Sequence, residues 1–222
     1  MIVQVVGVLA WPVVLLLLAV WFHDPIGKFL EGIAQFSQLK VKGPGFEASV
    51  ARDQVEFVAA LGAATVKQGG DASDFKAIAD ALPAPAAQQR LEHSRVLWVD
   101  DNPGNNRFER QALEALGVRV DISTSTADAL ARTKAEPYDL IVSDMGRDSD
   151  LTGEHDPQAG YTLLRELREG KNWTPFLIYA SRSSPELTAE AQAHGAVDSV
   201  NQPAALVGLA TRLLQTRTFT RR

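Results

Sequence analysis

From Arg95 onward, short apolar runs alternate with helical stretches five times over, and this alternation narrows the possible folds more than anything else in the chain. The runs fall at 96–99, 118–122, 139–143, 175–179 and 197–200. Helical patterning lies near 104–116, 126–134, 158–169, 186–193 and 203–216. Strands alternating with helices in this way specify a parallel sheet with crossover helices on both faces. Three of the runs are nearly continuous in apolar residues, as central strands covered on both faces must be. The expected fold is therefore α/β, a five-stranded parallel doubly wound domain over 94–216 followed by a short tail at 217–222.

The rest of the chain is of a different material. All 22 Lys and Arg and all 27 Asp and Glu residues lie from Asp24 onward, so residues 1–23 carry no formal charge from these side chains. A helix of about 21 residues rises roughly 31 Å, the thickness of a bilayer's hydrocarbon core. Trp21 and Phe22 sit where an aromatic belt would lie, and Pro12 would kink the span. A basic leader and a small-residue cleavage site, which a secretory signal would want, are both absent. The expectation is a single transmembrane helix at 1–23. Lys28, Lys40 and Lys42 follow it and no Lys or Arg precedes it, which places the N-terminus outside and the remainder in the cytoplasm, at an inner membrane.

Residues 24–93 read as a juxtamembrane amphipathic segment and a helical stalk. Ile26, Phe29, Leu30, Ile33 and Phe36 form an apolar stripe, residues 39–47 suggest a short strand and a tight Gly-Pro-Gly turn, and 47–67 and 73–92 read as two Ala-rich helices. Pro83 and Pro85 end or interrupt the second helix. A spacer is the plainest role for this region, and a homo-oligomer through it is the alternative.

Composition excludes some chemistry. There is no cysteine, so disulfides, thiol nucleophiles and Cys-ligated metals are absent. The net charge of −5 leaves no global basic footprint for nucleic acid. No Gly-rich phosphate loop or nucleophile elbow appears, and the histidines show no metal-like spacing.

In an open parallel sheet, ligands bind outside the carboxyl ends of the strands. The first run ends in Asp100-Asp101 and the third in Asp144, so three carboxylates are expected to converge on one crevice. Such a cluster either holds a divalent cation, for which Mg²⁺ suits the oxygen donors, or raises some of its own pKa values. Asn102 to Asn106 then precede a helix, as caps or with amides aimed at an anion.

These residues bring out a resemblance. Val96-Leu97-Trp98-Val99-Asp100-Asp101, Leu140-Ile141-Val142-Ser143-Asp144, Gly160-Tyr161-Thr162-Leu163-Leu164 and the stretch from Gly195-Ala196 to Gln202-Pro203 together resemble a response-regulator receiver domain. The resemblance implies a flavodoxin-like fold, Asp144 as phosphoacceptor, and Mg²⁺ held by Asp100, Asp101, Asp144 and the backbone carbonyl of Gly146. It also marks departures. Where the family has a Ser or Thr at the end of its fourth strand this chain has Ala180, with Ser181 next as a possible hydroxyl partner. Where the family has a Lys before the last proline it has Gln202. The segment 145–159 is enlarged, and Arg147 and His155 within it are candidates for positive charge over the crevice.

The expected function is a membrane-anchored receiver-like signalling protein, phosphoaspartate-accepting or a pseudo-receiver, acting through partner binding or assembly. A histidine kinase is the expected partner. With only a short tail after 216, no DNA-binding output module and no nucleic-acid partner are expected. The alternatives are a small nucleotide-processing enzyme and a ligand-triggered membrane effector. Whether the chain is an enzyme stays open, with the balance against it.

Overall fold

The computed structural model describes residues 46–70, 75–84, 91–148, 154–182 and 184–218. Five strands form one parallel sheet: β1 (Arg95–Val99), β2 (Arg119–Ser123), β3 (Leu140–Ser143), β6 (Phe176–Tyr179) and β7 (Asp198–Val200), in the spatial order β2-β1-β3-β6-β7. The order reverses between β1 and β3, which opens a crevice at their carboxyl ends. Two further strands, β4 (Arg147–Asp148) and β5 (His155–Asp156), pair antiparallel as a separate ribbon. This ribbon falls within the segment expected as an enlarged loop.

Alternate residues of the central strands serve opposite faces. Leu97, Val99, Ile141, Phe176 and Ile178 pack in one buried cluster with Leu163, Leu164 and Leu167 of helix α5 (Ala159–Glu169) and Ala129 of helix α4 (Thr126–Ala135). Ala191 of helix α6 (Pro185–Ala193) completes that side. Val96, Trp98, Leu140, Val142 and Leu177 are equally buried on the other face, the side of helices α3 (Arg107–Ala115) and α7 (Pro203–Thr218). Full burial of a Leu, Ile or Phe side chain is worth roughly 1.5–3 kcal/mol, so these rows dominate the driving force for folding. The α4 and α6 starts are set by Ser125 and Ser184, whose hydroxyls accept from the backbone N–H of Asp128 at 3.1 Å and Leu187 at 3.3 Å.

The N-terminal helices are part of this body and not a free spacer. Helix α1 (Phe46–Lys67) buries Phe57, Leu61 and Ala64, one stripe at helical spacing. It stops where Gly69 takes a left-handed φ of +80°, a conformation that costs glycine little. Helix α2 (Phe75–Ala81) stops ahead of Pro83 and packs on α7, where a Cβ on Gly208 would lie 3.6 Å from Ala81 Cα. It is shorter than the 73–92 helix expected, because Pro83 lacks the N–H to continue it. Residues from Ala48 onward form one compact unit.

Several expectations fall outside the described residues: the transmembrane helix at 1–23, the amphipathic stripe at 26–36, most of the 39–47 strand and turn, and the end of the tail. Among the described residues no helix is long and apolar enough to cross a membrane.

Candidate phosphoacceptor site

The carboxyl ends of β1 and β3 bring Asp100, Asp101 and Asp144 together, with a carboxylate oxygen of each lying within 4.8 Å of the others. They line a cleft of about 620 Å³. Asp100 is buried, and its two oxygens are held from the following loop: Oδ1 accepts from the Asn102 backbone N–H at 2.7 Å, and Oδ2 accepts from Asn106 Nδ2. Asn106 therefore makes no side-chain cap on α3, although it stands at the N-cap position. Its amide serves the acid cluster instead. Asp101 Oδ2 accepts from the Asp148 N–H at 2.9 Å, which ties the β4–β5 ribbon to the first strand.

Arg147 decides the electrostatics at Asp144. Its side chain is 1% exposed and its guanidinium forms an ion pair with Asp144 Oδ1. Nη1 also donates to Ser143 Oγ at 2.6 Å, while Nη2 donates to Thr126 Oγ1 at 3.1 Å and to the Ala159 carbonyl at 2.9 Å. Burial nevertheless outweighs this cation and pushes the Asp144 carboxyl up to about 7, with Asp100 and Asp101 adding to the rise. Of the two candidates for positive charge in the enlarged segment, Arg147 is the buried partner. His155 is exposed and faces Asp148 Oδ1 at 3.3 Å.

Gly160 explains why α5 can begin against this site. A Cβ there would stand 2.7 Å from the Asp144 carbonyl oxygen, closer than any side chain tolerates, and the Gly160 N–H donates to the Met145 carbonyl at 2.9 Å. The glycine lets the helix start close under the strand end that carries Asp144.

The opposite wall of the cleft comes from elements that sequence reasoning did not connect to it. Tyr179 at the end of β6 and Ala180 and Ser181 after it line the cleft, and Lys67 and Gln68 reach it from the end of α1. Gln68 Nε2 donates to the Tyr179 hydroxyl at 2.5 Å, and that hydroxyl donates to Glu109 Oε1 at 2.8 Å. Burial raises the Glu109 carboxyl. Burial and then Glu109 raise the Tyr179 phenol. Glu109 had a signal in the sequence, for it shares the helix face of Ala112, Leu113 and Leu116, all buried. Lys67 and Gln68 had none.

The donor set fits a hard divalent cation. Three carboxylates converge with only oxygen to offer, and Arg147 is the single guanidinium paired with them among the described residues. A family model described as the response regulator receiver domain matches residues 96–214. The chain belongs to the receiver family.

Curated relatives match about half of the chain. The transcriptional regulatory protein TrcR of Mycobacterium tuberculosis is 31% identical over 120 residues, 54% of this chain and 43% of that protein. The sensor protein EvgS of Escherichia coli K12 is 31% identical over 103 residues, 46% of this chain and 7% of that protein. The chain thus spans less than half the length of either. Among solved structures, the receiver domain of Francisella response regulator 1452 aligns with 57% of this chain and 99% of its own, at 24% identity and a TM-score of 0.48. The TrcR name speaks of transcription, so the comparisons lend no support to the expectation of no nucleic-acid partner.

Within this receiver domain the expected residues divide. Asp100, Asp101 and Asp144 meet, Gly146 lines the same cleft, and Ala180 brings no hydroxyl to it while the exposed Ser181 beside it does. Gln202 does not line that cleft. It lines a second cavity of about 550 Å³, with Thr65, Ala81 and Arg212.

Proposed function

We propose that this receiver domain accepts a phosphoryl group on Asp144 and passes the change to a protein partner at a membrane, to which residues 1–23 anchor it. The convergence of three carboxylates at the ends of β1 and β3 is the observation that carries the proposal. A carboxylate oxygen of Asp144 attacks the phosphorus of an acyl phosphate, or of a phosphohistidine on a partner kinase. The new O–P bond forms as the bond to the donor's carboxylate or imidazole breaks, and the departing group takes the electron pair. Asp100, Asp101 and Asp144, with the Gly146 carbonyl, would hold Mg²⁺, which when bound offsets charge on the incoming phosphoryl oxygens.

Arg147 keeps the uncomplexed Asp144 paired, and the Asn102 N–H and Asn106 amide hold Asp100 in place. The domain lies in the cytoplasm with the N-terminus across the inner membrane, and a histidine kinase is the donor. Self-association through the N-terminal helices is a route to output. The names of the relatives, transcriptional regulators and a sensor, favour signalling over the nucleotide-processing alternative.

A pseudo-receiver is the second reading, favoured by Ala180 in place of a hydroxyl and by the Arg147 ion pair on the acceptor. One experiment separates them. The full chain is treated with a small acyl-phosphate donor and Mg²⁺, and its intact mass is measured. A gain of one phosphoryl group, absent from Asp144→Asn, supports the phosphoacceptor; an unchanged mass leaves the pseudo-receiver.

A further inference from the structure

A phosphoryl group on Asp144 would add negative charge to a cleft already lined by Asp100, Asp101 and Glu109. A divalent ion offsets only part of that, so a further cation has to face the phosphoryl oxygens. Gln202, where the family resemblance expects a lysine, has no charge and lines a different cavity. Arg147 is committed to Ser143, Asp144, Thr126 and Ala159 behind the acceptor, and does not line the cleft. Two strong cations do line it, Lys67 and Arg182. Lys67 is held there: its ammonium donates to the Asn105 carbonyl at 2.5 Å, in the loop that follows the acidic pair. It is also near enough to Glu109 to favour that residue's charged form.

We propose that Lys67, at the end of the helix preceding the receiver fold, is the cation that pairs with a phosphoryl group held at Asp144. The inference rests on the phosphoacceptor reading above. In exchanging the Asn105 carbonyl for a phosphoryl oxygen, the ammonium gives up a neutral acceptor for a charged one, the stronger hydrogen bond. The neighbouring Gln68 is bonded to Tyr179, so occupancy of the cleft is coupled to the end of α1. A lysine in a last helical turn also complements the helix dipole, a role that would leave anion affinity untouched.

Beryllofluoride, a phosphoryl analogue, is titrated with Mg²⁺ into the full-length chain, using ¹⁹F NMR for bound fluoride. The proteins are wild type, Asp144→Asn, Lys67→Gln, Lys67→Arg and Arg182→Gln. The Mg²⁺ affinity of each, without fluoride, serves as the control for an intact acid cluster. Wild type is expected to bind and Asp144→Asn to fail. Lys67→Gln is expected to bind about tenfold more weakly or worse, Lys67→Arg to recover part of the loss, and Arg182→Gln to stay within about twofold. Wild-type-like binding by Lys67→Gln, with Asp144→Asn dead, overturns the role of Lys67 and leaves the phosphoacceptor standing. A wild type that binds Mg²⁺ but no beryllofluoride overturns both.

Discussion

The two walls of the acid cleft are made differently. The wall at β1 and β3 is assembled from adjacent strands of one sheet, so its aspartates are placed by the same backbone pairing that forms the core: Val99 pairs with Ser143, and Asp100 and Asp144 follow directly. The wall opposite combines the end of β6 with a helix that precedes the α/β fold in the chain. Its members meet only because Phe57 and Leu61 are buried and bring the end of α1 to Tyr179 and Asn105. One wall is inherited with the sheet, and the other depends on a docked element. The three clustered aspartates therefore have a robust support, whereas the groups that would face a bound anion can be gained or lost by docking.

Removing each wall's buried anchor tests that contrast most severely. Arg147→Ala strips the half-buried Asp144 of its cation and leaves Ser143, Thr126 and the Ala159 carbonyl without their donor, and should cost about 3–5 kcal/mol in urea unfolding without metal, with part recovered in Mg²⁺. Leu61→Ala should cost about 2–5 kcal/mol in the same single transition if α1 folds with the sheet. An unchanged sheet transition would mean that the two walls are energetically separate. Gly160→Ala drives a Cβ against the Asp144 carbonyl and should cost about 1–3 kcal/mol, with weakened Mg²⁺ binding, because it moves the strand end and not the helix alone.

The smaller effects concern protons and single hydrogen bonds. The folded Asp144 carboxyl titrates near 7, above its ordinary value. Its contribution to the metal-free fold is thus fully present below about pH 4 and is lost as pH rises through 7. Mg²⁺ needs the carboxylate, so its affinity, followed by calorimetry, should rise about tenfold between pH 6 and 8 and lose that slope in Asp144→Asn. Gln68→Ala should cost only about 0.5–1.5 kcal/mol, but should shift the Tyr179 ring signals in NMR spectra without moving those of Asp101.

The same contrast accounts for what the sequence made legible. Alternating apolar runs and helical stretches predict the five strands of the parallel sheet, and the strand-end rule then places Asp100, Asp101 and Asp144 together. Lys67 lies 33 residues before Asp100, beyond a helix break and two prolines, and local patterning says nothing about where such a helix docks. Arg147 was visible as a charge but not as a buried one, since its burial depends on a two-residue ribbon pairing Arg147 with Asp156. Gln202 sits at the expected place in the chain, yet its outlook is set by helices α1, α2 and α7, which share its cavity.

Arg147 stands three residues from the carboxylate it binds, and this gives Asp144 a built-in ligand that never diffuses away. Its effective concentration is set by that short stretch of chain and by the ribbon holding it, not by the solution. Any cation that takes up the same oxygen of Asp144 must win an intramolecular competition, so the affinity observed is the intrinsic one divided by the strength of the internal pair. Any threshold for metal at this cleft would therefore be written into the ribbon, and changes in β4 or β5 would retune it without touching a single aspartate.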